Sequence, residues 1–232
     1  YNMSRSSKKI SMIQFIDFEL MLLRDYVNYV EEYFILQGKE IDGKFKDLES
    51  IPENDPSREP LDNYHQSFYE VMVDNLIDDN FYIEEFTQRF RYSLIIQTYS
   101  IAEKYLSKIT DHFTTKNNTK QINTKYLENL EGLVNPFEVK KCEHFNFMIY
   151  YTDLRNCIVH NEGVFYSDMK NTKRLEGLNK LEQLKLITFK ETKGLKRTRY
   201  KIIIDEKLFI DESIDKIEHF LREIDELLQA QY

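Results

Sequence analysis

Two residues in the short string RNCIVH, Arg155 and His160, are of the types that phosphodiester chemistry uses and stand five positions apart, with the polar Asn156 between them. Cutting RNA without a metal needs a base for the 2′-hydroxyl, an acid for the leaving 5′-oxygen and a cation for the phosphorane. An imidazole exchanges protons near neutral pH and can fill either proton role. A guanidinium stays charged and can hold two phosphate oxygens at once. The string closes a helical segment, so His160 sits where unsatisfied carbonyls attract positive charge. The plain structural reading of the same two residues is an ion pair and a helix cap.

Spacing adds a constraint. Five residues turn a regular helix by roughly 500°, which leaves Arg155 and His160 about 140° apart. Asn156 and His160 are four apart and share a face. One regular helix therefore cannot converge Arg155 and His160 on one phosphate. Either the last turn is distorted, or a second copy of the helix completes the site, which implies a symmetric dimer with a shared cleft.

The elements that must position these residues are helical. The chain has 232 residues, 41% of them hydrophobic, with sixteen Tyr, sixteen Phe, only six Gly and only four Pro. Such a composition builds a ring-rich core and favours long helices. Residues 11–36 carry Ile13, Ile16, Leu20, Leu23, Val27, Val30 and Phe34 at helical spacing, with Ser11 as N-cap and Gly38 as the stop. Residues 39–60 lose that rhythm and gather Gly43, Pro52, Pro56 and Pro60, which reads as a loop or insertion. A helix over 61–77, a break at Asp78-Asp79-Asn80 and a long helix over 81–113 follow. That long helix has one apolar stripe through Ile83, Phe86, Phe90, Leu94, Ile101, Tyr105 and Ile109, and a second through Ile95, Thr98, Ala102 and Leu106. Apolar over so much of its circumference, it belongs in the core or at a subunit interface. KNNTK at 116–120 reads as a turn, 122–130 as a short helix and 138–160 as the helix that ends in the motif, with Gly163 as its left-handed cap. Residues 184–204 read as a basic β-hairpin appendage, and 209–231 as a closing helix capped by Asp211. The fold class expected is mainly α, one domain over 1–232, with a long central helix and a small hairpin near the C-terminus.

The fuller string LRNCIVHNEG at 154–163, on a helix that follows a long amphipathic one, resembles the motif of the HEPN superfamily, an Arg and a His with four to six residues between them and a polar residue after the Arg. RYSLIIQTYSIAEKYL at 91–106 resembles that superfamily's central helix, and the similarity spans roughly residues 81–163. The resemblance implies a helical bundle that dimerises so that motifs from both protomers line one cleft. It implies an endoribonuclease that needs no metal or cofactor, in a toxin or defence setting, with RNA as substrate and an antitoxin or defence protein as a further partner. His160 would be the acid–base residue, Arg155 the phosphate and transition-state ligand, and Asn156 would orient His160 or the substrate. Glu103 would be a buried partner for Arg155. Toxins of the group that pairs with nucleotidyltransferase-type antitoxins carry a Tyr two residues after the His; Glu162 stands there, so regulation through that Tyr is not expected. Some superfamily members are inactive modules that bind a protein or a nucleotide, and this is the alternative reading.

The net charge of −8 excludes a broadly basic nucleic-acid coat, so contact with RNA needs a local patch. Residues 185–201 supply one: Lys185, Lys190, Lys193, Lys196, Arg197, Arg199 and Lys201 against the single acid Glu191, with Phe189 and Tyr200 interleaved to stack a base. Strand-edge lysines that prevent aggregation are the bland alternative, and a DNA-binding wing is a third reading. His65, His112, His144 and His219 show no ligand spacing and read as surface or capping residues, and the two cysteines, Cys142 and Cys157, show no CxxC spacing. Buried free thiols and the lack of a signal peptide or of a long apolar run suggest a cytoplasmic protein that does not enter a membrane.

Overall fold

The computed structural model describes residues 12–62, 65–117, 139–169, 173–194 and 196–231. Two long helices come first, α1 (Met12–Glu49) and α2 (Phe68–Asn117), linked through a 3-10 turn (Pro56–Arg58) and two short strands, β1 (Pro60–Asp62) and β2 (His65–Ser67). Then come α3 (Phe145–Asn161), β3 (Val164–Tyr166), α4 (Lys173–Gln183), β4 (Thr188–Lys193), β5 (Thr198–Ile203) and α5 (Lys207–Gln231). The fold is mainly helical with a small antiparallel sheet near the C-terminus, as the composition and periodicity predict. Among the described residues no helix is long and apolar enough to cross a membrane.

Several boundaries differ from the sequence reading. The first helix does not stop at Gly38 but continues through Gly43 to Glu49, so only the second half of 39–60 is a turn. Each glycine costs about 1 kcal/mol in a helix, and that is outweighed here by burial of Ile41 and Leu48 and by a Glu40–Lys44 ion pair at 2.8 Å. The second helix is not broken at Asp78-Asp79-Asn80 but runs unbroken for 50 residues. Asp78 and Asp79 are exposed and solvated, and Asn80 donates one turn onward to Glu84. Its start is fixed by a capping box in SFYE: the Glu70 N–H donates to Ser67 Oγ at 3.2 Å, and the Ser67 N–H to the Glu70 carboxylate at 3.0 Å. α3 begins at Phe145 instead of residue 138, α4 and β3 were not legible, and α5 begins at Lys207. Asp211 therefore lies inside α5, paired with Lys207 at 3.0 Å. Ser11, residues 118–120 of the KNNTK string and the short helix at 122–130 lie outside the described residues.

The chain divides into two compact units, one formed by Tyr26–Arg91 and the other by Tyr1–Asp25 with Tyr92–Tyr232, where the sequence suggested a single domain. Helices of 38 and 50 residues have contour lengths of about 57 and 75 Å, more than one small core can cover. Within Tyr26–Arg91, Arg91 grips Glu31 with two hydrogen bonds of 2.7 and 2.8 Å, and Tyr26 and Phe34 set their rings edge-on to Phe90. A pocket of about 390 Å³ in this unit is lined by Lys44, Asp47, Leu48, Ile51, Met72, Asn75 and Leu76.

The other unit holds the motif. Its core takes the second α2 stripe, with Ile95, Thr98, Ala102 and Leu106 all buried, so much of the apolar girth of α2 is used inside the chain. Tyr151 of α3 is fully buried, its ring beside Phe147, Tyr99 and Phe209 and its hydroxyl donating to the Ile95 carbonyl at 3.4 Å. This one residue joins α2, α3 and α5. α4 crosses α3 closely at Gly177, where a Cβ would stand 3.1 Å from the Tyr150 Cα and against the Asp153 carboxylate. The sheet order is β3-β5-β4, with Phe165, Phe189, Tyr200 and Ile202 on one face and Val164, Tyr166, Lys190, Arg199 and Lys201 on the other.

Candidate functional site

Arg155, Asn156 and His160 lie on the last turns of α3, which is α-helical through Asn161. The helix stops because two successive residues turn left-handed, Glu162 at φ 53° and Gly163 at φ 72°. Their N–H groups donate back to the Cys157 carbonyl, in the manner of a Schellman turn. Gly163 was expected in this role; Glu162 shares it. The turn is then locked from outside. The Ile202 N–H donates to the Gly163 carbonyl at 2.8 Å, and the Tyr92 hydroxyl donates to the Ile202 carbonyl. The Tyr92 hydroxyl fills the space that a Cβ on Gly163 would need.

Arg155 is the most constrained member. Its Nη1 donates to Asn156 Oδ1 at 3.0 Å, and its guanidinium carbon lies 5.5 Å from the centre of the Tyr99 ring. Tyr99 is held in turn, since the Thr152 hydroxyl donates to its oxygen at 3.2 Å. Arg155 Nε is buried and without a hydrogen-bond partner, and among the described residues Arg155 makes no ion pair. Glu103 is close enough to feel the Arg155 charge but does not pair with it. Burial pushes the Glu103 carboxyl above its ordinary value, and Arg155 only partly opposes that shift. The direct Glu103–Arg155 pairing expected from the sequence is therefore replaced by a longer-range interaction. Tyr99 is likewise pushed up, first by burial, with the Thr152 hydroxyl acting in the opposite direction.

His160 is exposed and makes no hydrogen bond among the described residues. Asn156 orients Arg155 through its carbonyl oxygen and makes no side-chain hydrogen bond to His160. Because α3 is regular to its end, the distorted-turn option does not hold. Arg155 and His160 stay about 140° apart, and one chain does not bring them together. Ile149 and Val159 are exposed on α3, Ile149 on the face of Asn156 and His160 and Val159 about 80° round from it toward Arg155.

Cys142 and Cys157 are buried and not in a disulfide, as expected, and burial pushes the Cys157 thiol up to about 11, so it is not a nucleophile at neutral pH. The basic hairpin is present but arranged differently from the sequence reading. Lys190, Lys193, Lys196, Arg197 and Arg199 are all exposed. Phe189 and Tyr200, however, lie half-buried on the opposite face from Lys190 and Arg199, where they pack on Phe165 at 5.0 and 5.2 Å. The alternation of the strands puts Tyr166 on the basic side instead, with the Arg197 guanidinium 3.6 Å above its ring and Asp168 at 4.0 Å.

One grouping was invisible in the sequence. His144, just before α3, and His219 on α5 were read as separate surface or capping residues, yet with Glu143 they bring three ligand atoms within 4.8 Å of one another. Seventy-five residues separate the two histidines, a distance no ligand-spacing rule covers. No family model, no curated protein and no solved structure matches this chain.

Proposed function

We propose that this chain is a metal-independent endoribonuclease of HEPN type that works as a homodimer, with Arg155 and His160 of two α3 helices completing one site. The observation that carries this reading is Arg155. It is a guanidinium held in place by Asn156 and Tyr99, yet among the described residues no carboxylate forms an ion pair with it. A guanidinium held in position with no carboxylate paired to it keeps its charge and its fork of donors available to a phosphate. Exposed His160, in the last turn of the same helix, supplies the proton-transfer group. Attack of the 2′-hydroxyl on the adjacent phosphate then gives a cyclic phosphate and a free 5′-hydroxyl. His160 handles the proton and Arg155 holds the two non-bridging oxygens. Exposed Lys190 and Arg199 beside Tyr166 offer a basic approach surface for the RNA backbone. A toxin or defence role with a protein partner follows from the resemblance alone.

The test is incubation of purified protein with mixed RNA in EDTA. Cleavage is expected, and Arg155→Ala and His160→Ala should each reduce it by about a hundredfold or more, with circular dichroism unchanged. Intact RNA with the parent protein would instead mark the chain as an interaction module built on the same fold.

A further inference from the structure

We infer that Glu143, His144 and His219 form a binding site for a divalent transition ion of the zinc class, separate from the RNA-cleaving site proposed above. The two imidazoles face each other with ring centres 5.7 Å apart and planes tilted by 34°. The Glu143 carboxylate comes within 4.0 Å of His144 Nε2. Apart from that contact, neither ring has a polar partner among the described residues. All three ligand atoms lie within 4.8 Å of one another. A tetrahedral zinc ion would draw them to about 3.3 Å apart, a closure small enough for side-chain rotation. His144 is held, its side chain only 17% exposed, whereas Glu143, at 67%, is free to swing.

The backbone around the site is fixed independently of any ion. The Glu143 N–H donates to the Glu223 carboxylate at 3.1 Å, which ties the turn before α3 to α5 and sets His144 opposite His219. Two nitrogen donors and one carboxylate suit zinc, cobalt or nickel, whereas magnesium and calcium take all-oxygen shells. Three protein ligands leave the fourth position for water or an external donor. His144 stands sixteen residues before His160, about 24 Å along α3, so the ion would act as a staple between the start of α3 and α5 and not as part of the cleavage chemistry.

Zinc titration of the EDTA-stripped protein by calorimetry tests this, with cobalt absorption in the visible as a second readout. One equivalent per chain should bind with micromolar or tighter affinity and give tetrahedral cobalt bands. His219→Ala, an exposed change on a helix surface, should weaken binding by at least about tenfold and remove those bands, while His160→Ala should change neither. Absence of saturable zinc binding to the parent chain, or binding unaffected by His219→Ala, overturns the inference. RNA cleavage serves as the control that separates the two sites: its loss in His160→Ala with zinc binding kept leaves this assignment standing, whatever becomes of the other.

Discussion

Arg155 and Gly163 show how much depends on single positions around the motif. Arg155 is immobilised by an amide and a ring, so its geometry does not rely on an acid that a phosphate would have to displace. Gly163 holds the turn that ends the motif helix. Its φ of 72° suits glycine, and the space beside its Cα already belongs to the Tyr92 hydroxyl. Gly163→Ala must strain the backbone and push Tyr92 off the Ile202 carbonyl, so a loss of about 2–4 kcal/mol is expected. The fall in thermal midpoint should be several degrees, and a midpoint within a degree of the parent would refute this account of the turn.

At the scale of elements, α5 is tied to the start of α1 by charge as well as by its apolar stripe. Arg24 donates to Asp215 at 2.6 Å and Glu218 at 2.9 Å, and Arg222 reaches Glu218 at 3.0 Å and Asp17 at 2.7 Å. Burial opposes ionisation of Glu218, but the hydrogen bonds from Arg24 and Arg222 outweigh it and hold the carboxyl below its ordinary value of 4.5. A depressed carboxyl stabilises the fold fully above the ordinary value and loses that contribution as pH falls through the lowered one. Glu218→Gln should therefore lower the thermal midpoint near neutral pH and flatten its decline below about pH 4.5. Parallel midpoint-against-pH curves for the two proteins would show that Glu218 carries no such linkage.

For the whole molecule, the regular end of α3 makes the oligomeric state the critical property. Ile149 and Val159 are 38% and 43% exposed, Ile149 two turns earlier on the face of Asn156 and His160 and Val159 about 80° round toward Arg155, two apolar positions open to packing against a second copy. Sedimentation velocity should find a dimer. Val159→Glu, on the exposed side of a helix, should leave the fold intact, shift the mass to the monomer and abolish RNA cleavage. A fully active monomer would remove the composite site and require another way of joining Arg155 to His160.

The sequence by itself determined the helical class, the buried stripe Ile16, Leu20, Leu23 and Val27, the hairpin and the place of the motif at a helix end, because each is written in local periodicity and turn chemistry. It misplaced helix ends at Gly38 and at Asp78-Asp79, where local breakers are weak signals that burial of Ile41, Leu48 and Leu76 overrides. Only the tertiary structure could decide which aromatic faces the basic side of the sheet, since a strand's two faces are told apart by what covers one of them. Phe165 covers the inner one, so Tyr166, not Phe189 or Tyr200, lies beside the cations. It alone decided that Arg155 meets Tyr99 and Asn156 without an ion pair to Glu103, and that His144 meets His219. Contacts between residues far apart in the chain depend on helix packing, and no spacing along a single strand of sequence encodes them.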